Sequence, residues 1–426
     1  MRTLTAAPGR PTTHGRWIWA VSGLATMGLL AVPAAVLIVN AGNGGNGQVI
    51  YATPTRTTTV TVSQAVTSLN VASYGAPIQV TARPVHRVTV TEAISSAGPG
   101  NGTPTVTDTV SQGRLTLAAP ACASMNSNCS VGFTVTVPSG VAVTAASDSG
   151  DISVFGAAGA NLDSGGGNVY ASQIDGPLTI SSEDGNINVA DIASATVTNL
   201  DSGGGNVQAA RVHSPLTVTS EDGTINVIGV ASATVTNLDS GGGNVYASQI
   251  DGPLSVTSED GLISVGGVSA PAGTNLNSGG GPIQASRVDG PLSIVSEDGD
   301  VTVNGLTGDL SADTGGGQFS GDGVAAERVS VATEDGSAVV GFSTAPGYVL
   351  VDTGGGSAQL TFDQAPTTVL VNTENGPATL NVPGGPYSVS ATSDGGPLTV
   401  NVATSAAAHR SLTVNSGGGP LDIGPR

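Results

Sequence analysis

The sequence Asn-Leu-Asp-Ser-Gly-Gly-Gly begins at Asn161, Asn199 and Asn237, and a variant with Asn in place of Asp begins at Asn275. These starts are 38 residues apart. Each copy also carries Ser-Glu-Asp-Gly roughly twenty residues after its glycine run, ending at Gly185, Gly223, Gly261 and Gly299. The unit is therefore a half-repeat of about 19 residues, one supersecondary turn stacked many times.

Within a half-repeat the apolar residues alternate. Val169, Ala171, Leu178, Ile180, Ile187 and Val189 fall on one face, and Thr179, Asn186 and Asn188 on the other. A period of two is the signature of half-buried strands. Two strands per half-repeat predict an all-β chain, a parallel β-helix or β-solenoid with about 19 residues per coil and a thin core between two sheets. The register of 193–200 is less regular, because Val197 aligns with Leu178 at a spacing of 19 while the flanking turns align at 18 or 20; a bulge can absorb the difference. Glycine makes up 63 of 426 residues and aromatics only 3%, which suits a narrow interior of Val, Ile, Leu and Ala.

The repeat begins near Ser147. Before it, 58–144 reads as strands of alternating apolar and hydroxyl residues, a segment expected to cap the first coil, since an open solenoid end presents unpaired strand edges. The chain thus divides into 1–16, 17–39, a Gly/Asn/Thr-rich linker at 40–57, the capping segment 58–144 and the solenoid 145–426. Copies also alternate in pairs, with Val-Tyr-Ala-Ser-Gln-Ile-Asp-Gly at 169–176 and again at 245–252.

Trp17 to Val39 is uncharged and long enough to cross a hydrocarbon core of about 30 Å as a helix. Arg2, Arg10 and Arg16 precede it and the next basic residue is Arg56. The positive-inside rule then predicts one N-terminal transmembrane helix, a cytoplasmic tail at 1–16 and an extracytoplasmic C-terminal region. The rival reading is a signal peptide cleaved near Ala41, although the apolar part of a signal peptide usually spans only about 7 to 15 residues.

Beyond the predicted span, 31 acidic residues face nine arginines and no lysine. That charge makes nucleic acid and anionic lipid poor partners. The two cysteines, Cys122 and Cys129, are expected to form one local disulfide outside the membrane, with two unpaired thiols as the alternative. His86, His213 and His409 are far apart and form no ligand cluster.

With the predicted anchor, the cysteine segment, Val-Pro-Ser-Gly at 137–140 and Ser-Asp-Ser-Gly-Asp-Ile at 147–152 leading into serial coils, the chain resembles a bacterial family of β-strand-repeat proteins named as adhesins. The likeness covers roughly residues 58–426. It implies attachment at the cell surface, through a ligand that could be protein or polysaccharide, and it carries no catalytic residues across.

Ser-Gly-Gly-Gly-Asn-Val lacks the Lys-Ser/Thr of a phosphate-binding loop and opens no helix. The period of 19 also departs from the nonapeptide of calcium-binding rolls. If successive turns stack, Asp163, Glu183 with Asp184, Asp201, Glu221 with Asp222, Asp239, and Glu259 with Asp260 share one column, where like charges about 4.8 Å apart repel by roughly 0.9 kcal/mol in water. Cations could bind there, with Glu183, Asp184, Asp201, Glu221 and Asp222 as first candidates for metal ligands. The competing reading is that these residues make local turn hydrogen bonds, glycine supplies positive φ, and no metal or cofactor is bound. A catalytic carboxylate pair should break the repeat, whereas these follow it, so no enzyme is expected. The functional expectation is a non-enzymatic surface binding or adhesion module, with envelope-stress sensing or assembly scaffolding as the alternative.

Overall fold

The computed structural model describes residues 2–4, 55–96, 104, 106–119 and 129–426. Trp17 to Val39 and Cys122 lie outside them, and so do the predicted membrane helix and the Cys122–Cys129 pairing. Among the described residues no helix is long and apolar enough to cross a membrane. The chain forms two compact units, Met1–Gly205 and Asn206–Arg426. Each is a parallel β-solenoid with two strands per coil.

In the first unit the alternating residues fold as their period requires. Val169, Ala171, Leu178, Ile180, Ile187 and Val189 are all buried, while Thr179, Asn186 and Asn188 are exposed. Gly159–Ser164, Leu178–Ser182 and Thr198–Ser202 stack in one straight sheet. Ile152–Phe155, Val169–Ile174 and Ile187–Ala193 stack in the other, which is bulged. The bulge lies at Gln173 (φ 53°) and Asp191 (φ 57°), one residue beyond the pair Ser172 and Ala190. The extra residue turns Ile174 and Ile192 back into the core, where both are fully buried. A left-handed residue other than glycine costs about 1–2 kcal/mol, repaid here by that burial.

The bulge is therefore not near Val197, and Val197 does not occupy Leu178's position. Thr179 pairs with Asn199, which brings Thr198 level with Leu178 and leaves Val197 43% exposed. The corner before Thr198 is two residues longer than the corner before Leu178. Coil length therefore alternates between 18 and 20 residues from Val169 to Val301.

The coil stack also begins earlier than Ser147. Ser68–Ser73 and Ile78–Arg83 form a full coil that pairs in parallel with Ala142–Ser147 and Ile152–Phe155. On its other side it pairs with Arg114–Ala118 and Cys129–Pro138. The boundary near residue 144 thus falls inside the stack, and the first coil in sequence is not the first in space. Antiparallel strands close this end: Val88–Ser96 pairs with Cys129–Pro138, Thr55–Val62 with Val88–Ser96, and Thr107–Ser111 with Arg114–Ala118. Arg2–Leu4 runs parallel to Val60–Val62.

The second unit shows the same exchange of order at its C-terminal end. Ser411–Ser416 lies between Thr368–Thr373 and Ser388–Ser393. Leu421–Pro425 lies between Ala378–Val382 and Leu398–Val400. The last coil of the chain is inserted before the preceding one.

Candidate functional site

Two surfaces carry the residues that could act: the acidic turns and the outer face of the bulged sheet. The turns start with a Ser or Thr whose hydroxyl bonds to the backbone three residues on: Ser164 donates to the Gly167 carbonyl at 2.7 Å and Ser182 to that of Gly185 at 2.9 Å, while Ser147 and Ser220 accept from the Gly150 and Gly223 N–H groups at 2.9 and 3.0 Å. The last glycine is needed for close approach and not for positive φ. A Cβ on Gly185 would stand 2.0 Å from the Gly167 carbonyl oxygen, and one on Gly205 would stand 2.1 Å from that of Gly185. None of these three glycines has a left-handed φ. The expectation that turn glycine supplies positive φ is thereby corrected.

The acidic residues do not form the single column expected from the sequence. Glu183 and Asp184 are exposed in the turn after Ser182, and the turns on either side of them are glycine runs. Asp201 is exposed on the straight sheet, in the row Asp163, Ser181, Asp201, where serine separates the two carboxylates. In the second unit Glu221 and Asp222 are exposed, and the next turn is Gly241 to Gly243, whose Gly242 N–H donates to the Glu221 carbonyl at 2.8 Å. Acidic turns thus recur at every second coil, about 10 Å apart, where two charges repel by only about 0.4 kcal/mol in water. That spacing lies near the screening length of about 10 Å at 0.1 M salt. Among the described residues, no group of three or more His, Cys, Asp or Glu side chains is placed to hold a metal ion. Calcium prefers six to eight oxygens, so the arrangement offers it little.

The alternation explains the exchanged coils at the C-terminal end. In sequence, the turn Glu374-Asn375-Gly376 is followed by Asp394-Gly395-Gly396 and only then by Gly417 to Gly419. In space the Gly417 turn lies between the two, with Gly417 N–H donating to Thr373 and Asp394 N–H donating to Ser416. The order acidic turn, glycine turn, acidic turn is kept.

The bulged sheet of the first unit carries two exposed aromatic residues on its outer face, Phe155 and Tyr170. Four of the five phenylalanines, Phe133, Phe319, Phe342 and Phe362, are buried, whereas Phe155 is 41% exposed. Its partner in register on the next strand is Ser172. Tyr170, 46% exposed, pairs with Ser153 on one side and Asn188 on the other. The two rings lie diagonally across neighbouring strands and line one cavity of about 360 Å³ with Gln79 and Asn188, and no charged residue contributes to it. Phe155 also borders a second cavity of about 760 Å³, where Arg83, Asp175 and Asp191 supply charge. Composition hides this site, because aromatics make up only 3% of the chain; the signal is Phe155, whose register partners are the polar residues Thr81 and Ser172.

Residues 56–245 match the Toastrack DUF4097 family model. The Toastrack match takes in the capped end of the first unit, its exchanged coil and the aromatic groove. It supports membership of a repeat class and does not bear on membrane anchoring. A crystal structure of a provisionally named cell adhesion protein from Clostridium sporogenes ATCC 15579 aligns with a TM-score of 0.23 and 12% identity, covering 53% of this chain and 100% of that one. A score that low carries no argument about this chain. No curated protein sequence matches.

Proposed function

We propose that the chain is a non-enzymatic binding or adhesion module, a β-solenoid held outside the cell membrane by an N-terminal helix over residues 17–39. The observation that carries this reading is the groove beneath Phe155 and Tyr170. Leaving a Phe or Tyr at the surface forgoes about 1.5–3 kcal/mol of burial that a Ser or Thr at the same position would not have had to give up. Exposed aromatics on a rigid sheet, beside amide and hydroxyl side chains, are the composition of a recognition surface.

An envelope-stress sensor or assembly scaffold would work through the cytoplasmic tail instead. Replacing residues 1–16 with unrelated sequence in the full chain distinguishes the two. The adhesion reading expects surface binding to survive the replacement. Loss of function on tail replacement, with the groove intact, would favour the sensor.

Membrane anchoring carries a structural condition. A bilayer crossed at residues 17–39 would separate Arg2–Leu4 from Val60–Val62, so the three-residue pairing between them must be released in the anchored protein. Cysteines introduced at the paired positions Thr3 and Thr61 test this. A disulfide between them in membrane-extracted protein would rule out the anchored topology.

A further inference from the structure

We infer that the Phe155–Tyr170 groove is a subsite for a neutral saccharide, an inference that rests on the binding reading above and names its ligand class. The groove is uncharged although the chain as a whole carries a net charge of -19. An anionic polymer would meet the protein's negative field with no local cation in this cavity to offset it, and a cationic one would find no carboxylate there. A neutral polyol meets neither penalty. The two exposed rings offer apolar faces to the C–H groups of a pyranose, and Gln79 and Asn188 each carry an amide that can both donate to and accept from sugar hydroxyls. The volume of about 360 Å³ falls in the range of small-ligand sites.

A peptide is a poorer fit. Peptides gain affinity on sheets mainly by adding a strand to an open edge, whereas this groove lies on the face of strands paired on both sides.

A related arrangement, with the asparagine on the other side of the ring, occurs in the second unit. Tyr246, 38% exposed, pairs with Asn226 on the preceding strand and Ser264 on the following one. Ile228, 39% exposed, pairs with Ser248 and so stands diagonal to Tyr246 as Phe155 stands to Tyr170. A ring, an apolar neighbour on the preceding strand and an asparagine in register thus occur twice. Two such sites on one chain suit a repeating polymer, for which linked binding raises apparent affinity by about 10²–10⁴-fold when both sites can be engaged.

The test uses the full-length chain in a detergent without a sugar headgroup, titrated with mannan, galactan and arabinan and with polygalacturonate as the anionic comparison. The inference expects at least one neutral polymer to bind more tightly than polygalacturonate. Phe155→Ala and Tyr170→Ala should each weaken that binding at least tenfold with an unchanged melting midpoint, while Tyr170→Phe, which keeps the ring, should stay within about threefold. Combining Tyr170→Ala with Tyr246→Ala should cost more with the polymer than with its disaccharide. If the protein adheres to cells but binds none of the neutral polymers, or if adhesion is abolished by protease treatment of the cells, the saccharide assignment is overturned and the binding reading stands. If it adheres to nothing, both fall.

Discussion

The carbonyl oxygen of Gly243 lies 2.1 Å from where a Cβ on Gly261 would be, so the backbones of successive turns touch at a spacing that only glycine permits. The same contact links Gly281 to Gly261 and Gly299 to Gly281 at 2.0 Å, a ladder along the second unit. It fixes the turn column that the acidic residues decorate.

Gly261→Ala should therefore destabilise the protein by about 3 kcal/mol or more, since a carbonyl cannot yield without moving its strand. Gly242→Ala is the internal control. The nearest atom to its Cβ would be Asp222 Oδ1 at 3.7 Å, so the change should be neutral or stabilise by about 0.4–1 kcal/mol through the unfolded chain. Urea unfolding of the two variants checks the ordering, and similar midpoints would contradict the ladder.

A second expectation concerns two buried hydroxyls. Thr236 and Thr274 are almost fully buried in the apolar column beside Leu254, and neither Oγ1 has a hydrogen-bond partner. Replacing each with valine removes an unsatisfied polar atom and keeps the branched shape. Each substitution should stabilise by about 1 kcal/mol, visible as a rise in melting midpoint.

The acidic turns yield a third. Gly242→Asp would place a carboxylate between Asp222 and Asp260 and cancel the alternation, with about 0.9 kcal/mol of repulsion in water from each neighbour one coil away. Gly242→Asn supplies the same volume without charge. The Asp variant should be less stable than the Asn variant by about 1–2 kcal/mol at low salt, and the gap should close in 0.5 M sodium chloride. Calcium at equal ionic strength should do no more than sodium. A markedly larger effect of calcium in the unmodified protein would return Glu183, Asp184, Asp201, Glu221 and Asp222 to candidacy as ligands.

The fourth concerns Tyr387, which is fully buried and donates to the Pro383 carbonyl at 2.8 Å. Burial raises its phenol above the ordinary 10.0, with the Arg410 charge opposing. Because the folded value exceeds the unfolded one, the neutral phenol's contribution is fully present below about pH 10 and is lost as pH rises through the raised value. Tyr387→Phe should lose about 1 kcal/mol near neutrality for the missing hydrogen bond and show a shallower alkaline decline. A pH series of thermal melts measures both.

How much of this was legible depended on what the repeat encodes. The period-two alternation around Val169 and Ile187 specifies inward and outward faces directly, because side-chain direction in a strand follows position. The spacing also separates glycine turns from acidic ones, but only the register shows that Asp201 pairs with Ser181, two positions before Glu183, so that the two carboxylates occupy different rows. The bulge at Gln173 and Asp191 was hidden, since Gln does not favour a left-handed φ by type and Asp, which tolerates it, occurs in many other positions of the repeat. The exchanged coils were hidden as well: Ser68–Ser73 carries no Gly-Gly-Gly, and chain order gives no hint that Ser411–Ser416 pairs on both sides. Phe155 and Tyr170 were visible as residues, but only the register set them diagonally in one groove.

On this reading the coil surface around Phe155 and Tyr170 does the binding. The most direct measurement compares adhesion of the full-length protein and its Phe155→Ala/Tyr170→Ala double variant, reconstituted in lipid vesicles, to intact bacterial and epithelial cells, with melting midpoints recorded for both. The unmodified protein should adhere, and the double variant, equally stable, should lose at least ninety per cent of that adhesion, about 1.4 kcal/mol for the tenfold change. Equal adhesion by the two proteins at equal stability would contradict it.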